Sequence, residues 1–156
     1  MKDLKIILEK LKKEFSSLDY KLVRDRRIFV EISNDCVKKF LKRLKEEIGE
    51  THISTITGLD TGKEIEVIYH LWSYQYKTEI SVRVKLDRNN PVVDSITDII
   101  PGATLYEREV YEMVGVKFQG HPNLTHLLLP EDWPDGVYPL RKDVPIEKVK
   151  KTMMRL

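Results

Sequence analysis

The residues with the greatest chemical capacity in this chain stand close together: Glu107, Arg108, Glu109 and Glu112, followed by His121 and His126. Carboxylates and imidazoles can together hold zinc or iron. One function class to weigh is therefore a stand-alone metal-dependent hydrolase using Glu107, Glu109, His121 and His126. The spacing argues against it. No H-x-x-x-H or E-x-x-H pair is present on a helix, and Pro122 lies between the two histidines in what reads as a loop. Glu107 follows Thr104 by three residues, the relation of a capping box, in which hydroxyl and carboxylate each satisfy a free backbone N–H at a helix start.

Other chemistries are less well supplied. There is no G-x-S-x-G elbow, and Cys36 opens an amphipathic helix with no histidine nearby, so it reads as a small core residue. The run GLDTGK, residues 58–63, lacks the GKS or GKT ending of a phosphate-cradling loop and reads as a turn between strands. His52 and His70 fall inside predicted strands, where a packed or solvent-facing histidine is the default. No catalytic residue, cofactor site or metal site is expected in this chain.

Composition narrows the class further. At 156 residues, 41% hydrophobic and 33% charged, the chain is expected to be one soluble globular domain with a real core. Twenty-seven basic residues against 25 acidic leave a net charge of +2, too small a field to recruit nucleic acid. No apolar run approaches a bilayer span, and the opening MKDLKIILEKLKKEF is interrupted by charges at helical spacing, so neither membrane insertion nor a signal peptide is expected. A cytoplasmic protein is the expectation. Cys36 is the only cysteine, which excludes an internal disulfide or a cysteine-held cluster. Abundant Lys and Glu, with Gln75 and Gln119 the only glutamines, suit a thermophile.

The elements that must position these residues follow from periodicity. Leu4, Ile7, Leu8, Leu11 and Phe15 stripe one face of a helix over about 2–17. Two short extended runs either side of Asp25 and Arg26 predict a β-hairpin, with Ile28, Val30 and Ile32 alternating. Asn34 is a candidate cap for a second helix bearing Val37, Phe40, Leu41, Leu44 and Ile48, which Gly49 can end. Three strands should follow, at about 51–57, 64–72 and 78–86. Ile65, Val67, Tyr69 and Leu71, with Ile80, Val82, Val84 and Leu86, would face inwards, and Glu79, Ser81, Arg83 and Lys85 outwards. This order predicts an α+β two-layer sandwich on a mixed sheet, both helices on one face.

SITDIIPG, residues 95–102, reads as a short helical turn, and ATLYEREVYEMVG as the last long helix. On that helix Tyr106, Val110, Met113 and Val114 share one side, while Arg108, Glu109 and Glu112 share the other, which should face water or a partner. An exposed Arg108–Glu112 pair would add only ~0.3–0.5 kcal/mol. From residue 116 to 143 no element longer than a turn is expected. The α+β domain should therefore occupy residues 1–120, and residues 121–156 an extended proline-rich arm. In the closing PIEKVKKTMMRL, Pro145 stands at a plausible first helical position, with Ile146, Val149 and Met153 on one side.

The run YEREVYEMVGVKFQGHPNLTHLLLPEDWPDGVYPLRKD, residues 106–143, resembles the signature of the 30 kDa subunit family of respiratory complex I, shared with the matching subunit of membrane-bound energy-converting nickel-iron hydrogenases. The resemblance rests on Glu107, Arg108 and Glu109, on Gly115, Phe118, Gly120, His121 and Pro122, on Pro130, Trp133 and Gly136, and on Pro139 through Asp143. IEVIYHL at 65–71 and SITDIIPGA extend it over about 51–143. Leu105 and Glu112 depart from it, standing where the family often has tryptophan and usually has aspartate.

What the resemblance implies is a cofactor-free, non-catalytic structural and assembly subunit in the peripheral arm of a membrane-bound, ion-translocating oxidoreductase. It would lie on the cytoplasmic side of the cell membrane and dock on the hydrogenase-like large subunit, alongside further peripheral-arm subunits. Iron-sulfur clusters, a quinone site or a nickel-iron centre would belong to partners. Arg108, Glu109, Glu112, His121, Pro122, Leu128, Trp133, Tyr138, Leu140, Arg141, Lys142 and Asp143 are the expected contacts. Prolines stiffen the arm before binding, and aromatic residues and arginine dominate interface energetics, so residues 121–143 are expected to wrap the large subunit. On that expectation Trp133→Ala would leave the isolated domain's melting nearly unchanged.

Overall fold

A computed structural model describes residues 2–154. Helix α1 spans Lys2–Glu14 and helix α2 spans Val37–Ile48, with a short 3-10 turn at Asn34–Cys36 just before α2. Strands β1 (Asp19–Arg24) and β2 (Arg27–Glu31) form the expected hairpin, its tight turn carrying Arg26 at φ 58°. Strands β3 (Thr51–Asp60), β4 (Glu64–Ser73) and β5 (Thr78–Asp87) form an antiparallel meander. β2 then lies parallel to β5, so the five strands run in the order β1-β2-β5-β4-β3. The sheet is mixed, as the element order predicts.

Register explains the core. Ile28 and Val30 align with Ile80 and Val82, which align in turn with Leu71 and Tyr69, while Val84 and Leu86 align with Val67 and Ile65. All are buried on one face together with Leu4, Leu8 and Leu11 of α1 and Phe40, Leu41 and Leu44 of α2. Phe15 and Phe40 meet edge to face, with ring centroids 5.6 Å apart. The opposite face carries the polar set: Arg83 bridges Glu31 and Glu66, Lys85 meets Glu31 at 2.7 Å, and Arg27 meets Glu79 at 2.9 Å.

Several local expectations are corrected. Asn34 does not cap α2; its side-chain amide donates to the carbonyl of Val92, tying the helix start to the strand that follows the sheet. β3 continues through Gly58 to Asp60, so the turn is confined to Thr61–Lys63. Gly58 is there for proximity: a Cβ would lie 2.6 Å from a Val114 methyl and 2.8 Å from Val110, both on helix α3 (Ala103–Val114). Residues 116–143 are not wholly irregular. Strand β7 (Lys117–Gln119) runs parallel to β6 (Val92–Asp94), pairing Val93 with Phe118 and burying both. A three-residue strand is too short to show a period. Helix α4 (Ile146–Met153) closes the described chain; Pro145 stands just before it as the N-cap residue instead of at its first position. Arg155 and Leu156, placed by the sequence in this closing segment, lie outside the described residues.

Candidate interaction site: a self-fastened arm

The capping box at the start of α3 does not form. Thr104 donates its hydroxyl to the Pro101 carbonyl, and Glu107 turns inwards, completely buried, to accept the Ser95 hydroxyl at 2.7 Å and the Ile96 amide at 2.8 Å. Glu107 therefore caps the neighbouring turn, where the Ile96 carbonyl accepts the Ile100 amide, and not its own helix. Burial is the main influence on its carboxyl and pushes its pKa up, against the pull of the Ile96 and Ser95 hydrogen bonds.

Most of the charged side of α3 is covered by its own chain. Arg108 donates to the carbonyls of Thr125 and His126. Glu112, one turn on, is buried and accepts three successive backbone amides: Leu127 at 2.9 Å, Leu128 at 2.9 Å and Leu129 at 3.2 Å. The two side chains thus satisfy the acceptors and the donors of one loop. Three converging N–H groups form a concave anion site, and Glu112 supplies the anion from within the chain. Glu109 alone of the charged set remains exposed, beside Leu140 in a shallow groove over Gly58.

Further along, the arm folds on itself. Trp133 is 5% exposed, and its indole N–H donates to the Val137 carbonyl at 2.7 Å. Trp133 lines a small cavity together with Tyr111, Glu112 and His126. Tyr138 lies against Gly115, which has φ 78°; a Cβ there would stand 2.5 Å from the tyrosine ring. Glycine is required on both counts, since a side chain would be strained by the left-handed backbone and would strike the ring.

The last fastening is ionic. Asp60 at the end of β3 is buried and accepts Nε and Nη2 of Arg88 at 2.9 and 2.8 Å, the Gly62 amide at 2.8 Å and the Lys142 amide at 3.0 Å. The Arg88 guanidinium holds the Asp60 carboxyl far below the usual carboxylate range. Arg88 also meets Asp143 at 2.9 Å. Arg141 donates to the carbonyls of Val114 at 2.7 Å and Arg88 at 2.9 Å while lying over the Tyr138 ring, and the Leu140 amide donates to Met113. Sequence reasoning missed Asp60 and Arg88 entirely. Asp60 reads locally as a turn residue, and nothing in the sequence links it to an arm 82 positions on.

The expected contact residues therefore divide. Glu112 and Trp133 are buried within the chain, so their side chains offer a partner no surface; this corrects the expectation for both. Arg108, His121, Tyr138 and Arg141 are half-buried, and each is engaged by its own chain. Pro122, Lys142 and Asp143 are exposed, as are Leu128 at 64% and Leu140 at 61%. Nor do the four residues of the metal reading converge. His121 uses Nδ1 for the Asn123 amide and Nε2 for the Thr104 carbonyl, and His126 bonds the Pro130 carbonyl through Nδ1. Among the described residues no three His, Cys, Asp or Glu side chains form a metal-holding group.

The α+β sandwich thus carries a strap fastened by its own residues to α3 and to the turn between β3 and β4. The chain belongs to the 30 kDa subunit family of respiratory-chain NADH dehydrogenase, whose family model matches residues 30–150. A subunit of the NADH-quinone oxidoreductase of Roseiflexus sp. is 43% identical over 113 residues, covering 70% of this chain and 63% of its own length. The chain thus spans under two-thirds of that relative. Membrane-bound hydrogenase subunit beta of Pyrococcus furiosus is 32% identical over 160 residues, covering 96% of this chain and 92% of its own. A chain in the solved structure of the membrane-bound sulfane sulfur reductase, an archaeal respiratory membrane complex, superposes with a TM-score of 0.78 at 27% identity, covering 97% of this chain and 91% of its own.

Proposed function

We propose that this protein is a non-catalytic structural and assembly subunit in the peripheral arm of a membrane-bound, ion-translocating oxidoreductase, and that it docks on the hydrogenase-like large subunit. Relatives named as subunits of NADH-quinone oxidoreductase and of membrane-bound hydrogenase support the class. No described helix is long and apolar enough to cross a membrane; on this reading the subunit is attached peripherally, on the cytoplasmic side. Redox centres belong, on this reading, to partner subunits.

One observation carries the docking assignment. The amides of Leu127–Leu129 are held by Glu112, yet the Leu128 side chain is left 64% exposed at the crest of that loop. A large apolar side chain on a backbone that is already ordered costs little further entropy to bury against a neighbour. Leu140, anchored through its amide to Met113, is presented in the same way. Glu112, Trp133 and Arg108 then act as positioning residues behind the contact surface.

The test is recovery of the tagged chain from native membranes with the double variant Leu128→Ser, Leu140→Ser. Loss of the large subunit, with the isolated chain's melting unchanged, is the expected result. Recovery of wild-type protein with no oxidoreductase subunit attached would overturn the proposal.

A further inference from the structure

Helix α4 is left uncovered by the rest of the described chain. Ile146, Val149 and Met153 recur at i, i+3 and i+7 on one side, and none is buried: Ile146 is 62% and Met153 64% exposed. Lys148, Lys150 and Lys151 are all exposed, against a single acid, Glu147. The helix is not on a slack tether. Asp60 holds the Lys142 amide, Arg88 holds Asp143, and the Val144 amide bonds back to Arg141, so the chain is fixed almost to the first residue of α4.

We propose that α4 is a docking helix whose Ile146–Val149–Met153 face fills an apolar groove on a neighbouring protein subunit, with carboxylates on the groove's rim meeting Lys148, Lys150 and Lys151. This deepens the function proposed above and rests on it, the neighbour being a subunit of the same complex. Anchors at i, i+3 and i+7 are the pattern by which a helix is read in a groove. The helix is about 12 Å long, enough to present those three anchors and no more. Charge selects a protein over an anionic membrane surface. The same arm exposes Glu131, Asp132 and Asp135 at its bend, so its charge reverses from acidic to basic along its length. A uniformly anionic leaflet repels the acidic end, whereas a groove of alternating potential accepts both ends and fixes the direction in which the arm lies. Stable membrane attachment also needs more apolar area than three side chains, or a second anchor.

The experiment uses the complex isolated from native membranes through the tagged chain, with attached subunits identified by mass spectrometry. Three variants are compared with wild type: Ile146→Ser with Met153→Ser; Lys148→Glu, Lys150→Glu and Lys151→Glu together; and the same three lysines changed to arginine. Because α4 contributes no buried residue, each variant should keep the melting profile of the domain. Wild type and the arginine variant should recover the neighbouring subunit, and the serine and glutamate variants should recover at least about tenfold less at ~0.15 M salt. Carbodiimide treatment of the wild-type complex should join Lys148, Lys150 or Lys151 to Asp or Glu of that subunit. Undiminished recovery by the serine and glutamate variants overturns this inference alone and leaves the proposed function standing. α4-dependent binding to phosphatidylglycerol-rich vesicles with unchanged subunit recovery overturns it in favour of lipid. Failure of wild type to recover any oxidoreductase subunit overturns both.

Discussion

Arg108 and Glu112 stand one turn apart on α3 and do not serve each other: the guanidinium takes the carbonyls of Thr125 and His126, and the carboxylate takes the amides of Leu127, Leu128 and Leu129. Opposite charges at this spacing usually add a few tenths of a kcal/mol as a surface pair. Here each is spent on backbone groups that would otherwise be left unpaired beneath the arm.

Glu112→Gln should therefore cost more than a surface substitution. Glutamine keeps one acceptor oxygen and turns an NH2 group towards amides that are themselves donors, so the anchor loses at least one hydrogen bond, at ~1–3 kcal/mol. Hydrogen exchange should speed up selectively at Leu127–Leu129, while the β4 and β5 amides keep their protection. Uniform exchange across the sheet would contradict the local role.

Trp133→Ala reverses the expectation drawn from sequence. Deleting a buried indole from the cavity it shares with Glu112 should remove ~3–5 kcal/mol from the arm's attachment, within the range for large-to-small core changes. Proteolytic nicking between residues 126 and 140 of the isolated chain is the measurement, because a segment that opens locally is cut before the domain unfolds. Resistance equal to wild type would return the side chain to the partner.

Asp60→Asn removes the buried carboxylate from the Arg88 guanidinium, which keeps only the exposed Asp143 as a counter-charge, so the clasp should weaken. Loss of the clasp should appear as freed arm resonances together with a lower urea midpoint. Lys142→Ala, which keeps the backbone amide bonded to Asp60, should do neither.

Two buried carboxyls give stability opposite slopes with pH. Asp60 is depressed when folded, so its contribution is present above its ordinary value of 3.8 and is lost as pH falls through the lower folded value. Glu107 is raised when folded, so its contribution is full below 4.5 and is lost as pH rises through the higher folded value. Urea midpoints across pH should then show Glu107→Gln flattening the decline above pH 4.5 and Asp60→Asn flattening the decline on the acid side.

What was legible in the sequence was what depends on neighbours in the chain. The stripes of α1 and α2, and the alternation of Ile65 to Leu71 and Ile80 to Leu86, place both layers of the sandwich because each residue's partner face is set by a local period. The arm was not legible in that way. A helical wheel says that Arg108, Glu109 and Glu112 share a side, but not that residues 125–129 cover it. Thr104 and Glu107 have the spacing of a capping box, yet Ser95 and Ile96 compete for the carboxylate and win because they are buried with it. The Asp60–Arg88 clasp joins a turn, a strand end and the arm, three places with no shared period. Trp133 was misplaced for the same reason: residue type marks it as an anchor, and only the fold says on which chain the anchor rests.

The parallel pairing of β2 with β5 matters for the order in which the molecule is made. Ile28 cannot find Ile80 until the whole meander has left the ribosome, whereas β3, β4 and β5 can zip up from adjacent turns. The segment that grips Asp60 is synthesised later still. A nascent copy therefore fixes Leu128 and Leu140 in place only after every strand of its sheet has been made.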